Sequence, residues 1–267
     1  MRSGPVTPVK IQLLSDLHLE TEVYAPRPAP GADLLVLAGD VDSTWAGLSH
    51  FKNWPVPVLF VPGNHEFDRR DVDEALSGLR ARCTELGLRL LERESIVLRA
   101  PDGRRVRFVG TTRWCDFDLF GEKERPRAMR AATYFVRVMQ STRGGAPFDP
   151  VAVREEGLRC RDWLATELAR QPTEADPWDV TVVITHFGPS LRSADPRYGR
   201  QPGTASFCNA DDHLLAGAQL WLHGHLHCRH DYLVPHAGGV TRVVSNARGH
   251  AYKGEADGHD DQCCVSV

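Results

Sequence analysis

Short apolar runs recur along the chain at residues 11–14, 34–38, 56–61, 180–184 and 220–222, each closed by turn or polar residues. Runs of this length between such residues predict buried strands. Elsewhere the period becomes helical. Residues 71–86 set Val72, Ala75, Leu76, Leu79, Cys83 and Leu86 at helical spacing, open on Asp71 with Glu74 three places on, and stop at Gly87, which predicts a capped amphipathic helix. Asp149 and Pro150 offer a cap and a first-turn residue for a second helix reaching about residue 170, with Val153, Cys160, Leu164 and Leu168 inward. A third helical pattern covers 127–139. Pro101-Asp102-Gly103 between 95–99 and 105–109 predicts a hairpin, and 239–245 a late strand. Strands and helices alternate early, and more antiparallel character is expected later. Segments 115–150 and 188–210, rich in charge, Gly and Pro, are expected as loops or caps over the ligand end of the sheet.

At or just after the carboxyl end of each apolar run stand metal-competent side chains: Asp16 and His18, Asp40, Asn64 and His65, His186, then His225 and His227. Ligands of open α/β sheets collect outside the carboxyl ends of strands, so these five ends are expected to converge. In Asp16-Leu17-His18 and His225-Leu226-His227 the i, i+2 spacing sends both polar groups to one side if the chain stays extended. Gly39, Gly63 and Gly224 directly precede Asp40, Asn64 and His225, where a missing Cβ permits a sharp turn or close approach.

Two Asp, one Asn and four His make a mixed oxygen and nitrogen donor set suited to Mn, Fe, Zn or similar divalent ions. Two ions would use them all, and paired ions can clamp both oxygens of an in-line displacement at phosphorus. The composition narrows the setting. With 267 residues, 42% of them apolar, the chain can bury a full core, and a single domain over 1–267 is expected. A net charge of -3 argues against broad nucleic-acid binding, so a small-molecule partner is expected. Seven cysteines, odd in number and without a CxxC pair, point to a reducing compartment. No leader and no membrane span stand out, so a soluble cytoplasmic protein is expected; oligomeric state is unreadable. The terminal Cys-Val-Ser-Val follows an acidic stretch where a prenylation box usually has basic neighbours, so a final edge strand is expected there.

The ordered blocks Asp16-x-His18, Gly39-Asp40, Gly63-Asn64-His65-Glu66, His186 and Gly224-His225-x-His227 resemble those of the calcineurin-like metallophosphoesterases. The resemblance implies an α/β fold, a four-layer α/β/β/α sandwich of two mixed sheets flanked by helices. It implies that Asp16, His18 and His227 bind one metal, that Asn64, His186 and His225 bind the other, and that Asp40 bridges them. It further implies that His65 is the general acid, that a metal-bound hydroxide attacks phosphorus, and that Glu66 orients backbone or imidazole behind the ligands. Asp42 is a further supporting candidate, and Arg69 and Arg248 are candidates to grip phosphate.

Two departures matter. Many members carry a second His after the one matching His186; here Phe187 stands there, which with Trp45 is expected to give a more apolar pocket. The arginine of the protein-phosphatase branch is absent from Ser43-Thr44-Trp45, so phosphodiesters are favoured over phosphomonoesters. The competing readings are a phosphomonoesterase, a non-catalytic scaffold of the same fold, and a mononuclear structural zinc protein. His223 is expected to be buried and hydrogen-bonded, and His213, His230, His236, His250 and His259 to lie in surface or loop positions.

Overall fold

Strand β1 (Lys10–Leu14) sends Leu13 into one hydrophobic layer and Leu14 into another, and both are fully buried. Successive side chains leave a strand on opposite faces, so an unbroken apolar run means that both faces are covered. A computed structural model describes residues 8–267, and the expectation for the N-terminus rests partly on residues 1–7, which lie outside them. After β1 come β2 (Leu34–Leu37), β3 (Val58–Phe60), helix α1 (Val72–Leu86), β4 (Arg89–Leu90), β5 (Glu94–Arg99) and β6 (Arg105–Thr111). Helix α2 (Arg125–Met139), β7 (Thr142–Arg143), β8 (Ala146–Pro147) and helix α3 (Pro150–Ala169) follow. The chain then forms β9 (Val180–Thr185), β10 (Leu220–His223), β11 (Arg229–His236), β12 (Gly239–Asn246) and β13 (Cys264–Ser266).

One sheet has the order β13-β1-β2-β3-β4, the other β11-β12-β10-β9-β6-β5, and β7 pairs with β8 in a small hairpin. The sheets face each other across Ile11, Leu13, Val36, Phe108, Val182 and Leu222. Helix α1 covers the outer face of the first sheet, where Leu79, Cys83 and Leu86 meet Leu35, Leu37 and Phe60. Helix α3 covers the second, with Leu164 and Leu168 against Val109, Val183 and Trp221. The layers therefore run α/β/β/α, with two mixed sheets flanked by helices. The expected caps are in place: Asp71 accepts from the N–H groups of Asp73 and Glu74, Asp149 accepts from Val151 and Ala152, and Gly87 ends α1 at φ 75°.

The later antiparallel character is present, at the edges of the sheets. The central strands β6, β9, β10 and β12 are mutually parallel, and the antiparallel strands β5, β11 and β13 are confined to sheet edges. Strand β11 alternates exposed and half-buried residues, as an edge strand with one wet face does, and it tolerates Pro235. The terminal Cys-Val-Ser segment pairs with β1 as the edge strand β13. The 115–150 segment is less irregular than a loop, since it contains α2 and the β7–β8 hairpin. No helix among the described residues is long and apolar enough to cross a membrane.

Candidate metal centre

The parallel strands β1, β2, β3, β9 and β10 deliver their next residues to one edge of the sandwich. Hydrogen bonds weld these ends together: Asp16 N–H donates to Gly39 O at 2.9 Å, His18 N–H to Asp40 O at 3.2 Å, and Gly224 N–H to His186 O at 3.0 Å. The backbone there is not extended. Asp16, His18, Asp40, His225 and His227 all have φ between 47° and 73°, in the left-handed region that side chains other than Gly seldom adopt. The i, i+2 pairs therefore reach one site through left-handed turns rather than strand alternation. The intervening Leu17 and Leu226 are nevertheless buried. At Gly63 an added Cβ would collide with the Asp40 carboxylate, and at Gly39 with the His186 ring, so both close approaches require glycine.

Three donor groups result; one is His18, His227 and His250, and the other two share Asp40. Asp16, His18 and Asp40 offer ligand atoms within 4.8 Å of one another, and so do Asp40, His186 and His225, so Asp40 belongs to both. His227 joins the first of these two, with its Nε2 3.0 Å from His18 Nε2 and 3.6 Å from Asp16 Oδ1. Asn64 joins the second, with Oδ1 3.2 Å from His186 Nε2. The chemistry of the rings tests whether a cation fits. His186 Nδ1 faces the carbonyl of Ala38 at 2.8 Å, and His225 Nε2 faces that of Ser206 at 3.1 Å. Carbonyls only accept, so those nitrogens carry protons, and His186 Nε2 and His225 Nδ1 are turned toward each other across 3.1 Å. A shared proton or a metal cation satisfies this pair, and with the Asp40 carboxylate and Asn64 Oδ1 alongside the donors fit a metal. His18 Nδ1 and His227 Nδ1 are likewise tied to Glu20 at 3.2 Å and Glu255 at 2.7 Å, the usual support of ligating histidines. Burial opposes charge on His186, but the Asp40 carboxylate raises it to about 9. Burial and the neighbouring His186 push His225 well below the ordinary histidine value.

His65 stands beside these groups without joining them. Its backbone N–H donates to Asp40 Oδ1 at 2.8 Å, and its Nδ1 lies 2.7 Å from Asp68 Oδ2. Burial opposes its charge, yet Asp40 and Asp68 together raise it to about 10. Glu66 is fully buried and accepts from the N–H groups of Asp40 at 3.0 Å, Val41 at 2.7 Å and Gly63 at 2.7 Å, locking the ends of β2 and β3 together. Burial and the Asp40 charge raise it to about 7.

The other candidates fall elsewhere. Asp42 turns to the N–H groups of Thr44 and Gly47, each at 2.6 Å, and so shapes its own loop. Arg248 pairs with Glu22 at 2.5 Å and covers the Tyr24 ring at 4.2 Å, so its guanidinium is already committed. Arg69 lines the cleft, with its backbone held at φ 57°. Phe187 and Trp45 do not wall the cleft as expected. Phe187 is fully buried between Trp114 and His225, and Trp45 Nε1–H donates to Glu66 O at 2.8 Å. His223 is buried, with Ser193 Oγ 2.9 Å from its Nε2, as expected. His250 is not a remote loop residue, since its ring stacks on His18 at 4.3 Å. Glu20, Asp68 and Glu255 also belong to the site, although the sequence pattern does not single them out. Glu20 and Asp68 carry a weak signal, lying two and three residues beyond His18 and His65, whereas Glu255 and His250 carry none. His18, Asp40, Asn64, His225 and His227, with His65, Glu20, Asp68, His250 and Glu255, line a cleft of about 1150 Å³.

Comparison with known proteins agrees with this architecture. The calcineurin-like phosphoesterase family model matches residues 9–229. Comparison with curated protein sequences gives no match. Among solved structures, a phosphopantetheinyl hydrolase from Mycobacterium tuberculosis is similar, with a TM-score of 0.72 and 17% identity over 98% of this chain and 96% of that one. With the family model covering most of its length, the chain belongs to the calcineurin-like phosphoesterase family and is a metal-dependent phosphoester hydrolase.

Proposed function

We propose that the protein hydrolyses small-molecule phosphodiesters with two divalent ions, Mn, Fe, Zn or similar. The observation that carries the reading is Asp40, whose carboxylate is shared by two donor groups. Asp16, His18 and His227 hold one ion, Asn64, His186 and His225 the other, and Asp40 both. When bound, the ions neutralise phosphoryl charge and activate water. The protein's own groups do the rest. Glu20 and Glu255 fix the tautomers of His18 and His227. His65, turned by Asp68, gives its proton to the leaving oxygen, and Glu66 holds the loop that carries it. Segments 115–150 and 188–210 serve as caps within one domain.

The charge of the cleft supports diesters. A phosphomonoester near neutral pH carries about two negative charges, and sites built for it add free arginines. Here Arg70 is held by the carbonyls of Ser43 at 2.7 Å and Asp68 at 2.9 Å, and Arg197 is paired with Asp195. Arg69 is the specific observation in favour of the second reading, a phosphomonoesterase, because it lines the cleft with no ion-pair partner among the described residues. The similar solved structure is named a phosphopantetheinyl hydrolase; at 17% identity it supports the fold and not a substrate. The test compares kcat/KM for bis(p-nitrophenyl) phosphate and p-nitrophenyl phosphate at one metal and one pH. A higher value for the diester is expected, and preference for the monoester would promote the phosphomonoesterase.

A further inference from the structure

Nine large hydrophobic side chains are exposed among the described residues, and five of them, Tyr134, Val138, Tyr198, Phe207 and Tyr252, line the cleft that holds the metal-competent groups. Scattered singly, such residues are ordinary, but gathered around a catalytic cleft they form a binding surface. The fold does not need them there. Helix α2 is anchored by Ala128, Ala132 and Met139, each 1% exposed, while Tyr134 at 78% and Val138 at 49% project from it one turn apart. Phe207 stacks on His225 with centroids 4.9 Å apart, and it remains 40% exposed, so apolar surface begins directly on a candidate ligand. Tyr252 packs similarly on His250, which itself stacks on His18. The volume of about 1150 Å³ exceeds what a phosphoryl group and a small alcohol would fill.

We infer that the substrate is a phosphodiester whose second substituent is an extended, largely apolar group, held by Phe207 and by the Tyr134 and Val138 face of α2. The inference rests on the diesterase reading and narrows it. Of the cleft cations, Arg70 and Arg197 are already engaged, and Lys253 lies over the Tyr252 ring at 5.4 Å, which leaves Arg69 for the phosphoryl group. Each methylene taken fully out of water there strengthens binding about fourfold, and partial burial correspondingly less.

The experiment compares p-nitrophenyl methyl phosphate with p-nitrophenyl octyl phosphate below its micelle concentration, on the manganese-loaded enzyme. The two esters share a leaving group, so only the second substituent differs. The octyl ester is expected to show kcat/KM at least about tenfold higher. Val138→Asp should bring the octyl-to-methyl ratio toward one. Val151→Asp, at a residue 55% exposed on α3 and outside the cleft, should leave that ratio at the wild-type value. Independently of turnover, octylphosphonate should bind more tightly than methylphosphonate by calorimetry. Equal kcat/KM for two esters that both turn over would overturn the apolar substituent and leave the diesterase reading standing. Hydrolysis of p-nitrophenyl phosphate with neither diester cleaved would overturn the diesterase reading and this inference with it.

Discussion

His65 Nδ1 lies 2.7 Å from Asp68 Oδ2, so the ring's other nitrogen is left to face the cleft beside the donor groups. On the proposed mechanism a group placed there, and tied to no metal donor set, serves proton transfer rather than ligation. His65→Ala should therefore keep its metals and lose turnover by roughly a hundredfold or more on an ester with a poor leaving group. The loss should be smaller with p-nitrophenolate, which needs little protonation. Asp68→Asn should show the same leaving-group dependence in weaker form. Equal losses on both kinds of ester, measured as kcat/KM, would assign His65 to phosphate binding instead.

Glu255 offers one carboxylate oxygen to both His227 Nδ1 at 2.7 Å and His250 N–H at 2.9 Å. Glu255→Gln keeps the shape and removes the charge. Metal affinity should fall by roughly ten- to a hundredfold, measured by competition with a chelator of known affinity. An unchanged affinity would mean that His227 is oriented by other contacts.

Asp40 is 1% exposed and shared by two donor groups, so Asp40→Asn should deplete both ions together. Elemental analysis of the purified variant checks this. Loss of a single ion with normal retention of the other would rule out the bridging role.

Packing decides which features the amino-acid sequence makes legible and which it hides. The runs at 11–14 and 180–184 are readable because strands covered on both faces admit only apolar residues. Helix α1 is readable because Asp71 and Gly87 act locally as caps. The ligand blocks are readable because each follows a strand directly. Phe187 defies the expectation because a position next to His186 says nothing about which way its ring turns; the cluster of Trp114 and Phe148 draws it inward. His250 and Glu255 are invisible in the sequence because they reach the site from the loop after β12, more than two hundred residues beyond His18. The left-handed turns at Asp16 and His18 are invisible too, since neither residue type demands positive φ.

His259 gives a prediction on stability. Burial, with Arg248 and Arg229 nearby, lowers it to about 4 from an ordinary value of 6.5. Between those values the unfolded chain binds a proton that the folded chain refuses, so folding stability rises with pH there. The contribution is fully present above pH 6.5 and is lost as pH falls toward 4. In chelator-treated protein, His259→Phe should flatten the dependence of the urea midpoint on pH across that window. An identical slope in variant and wild type would show that His259 is not held neutral.

The central claim is that two ions sharing Asp40 run the reaction, and the most direct measurement is an activity titration. Metal-stripped protein is titrated with Mn²⁺ while hydrolysis of bis(p-nitrophenyl) phosphate is followed. The account predicts negligible activity at the start and a break at two equivalents per chain. A break at one equivalent, or full activity in the stripped protein, would contradict it.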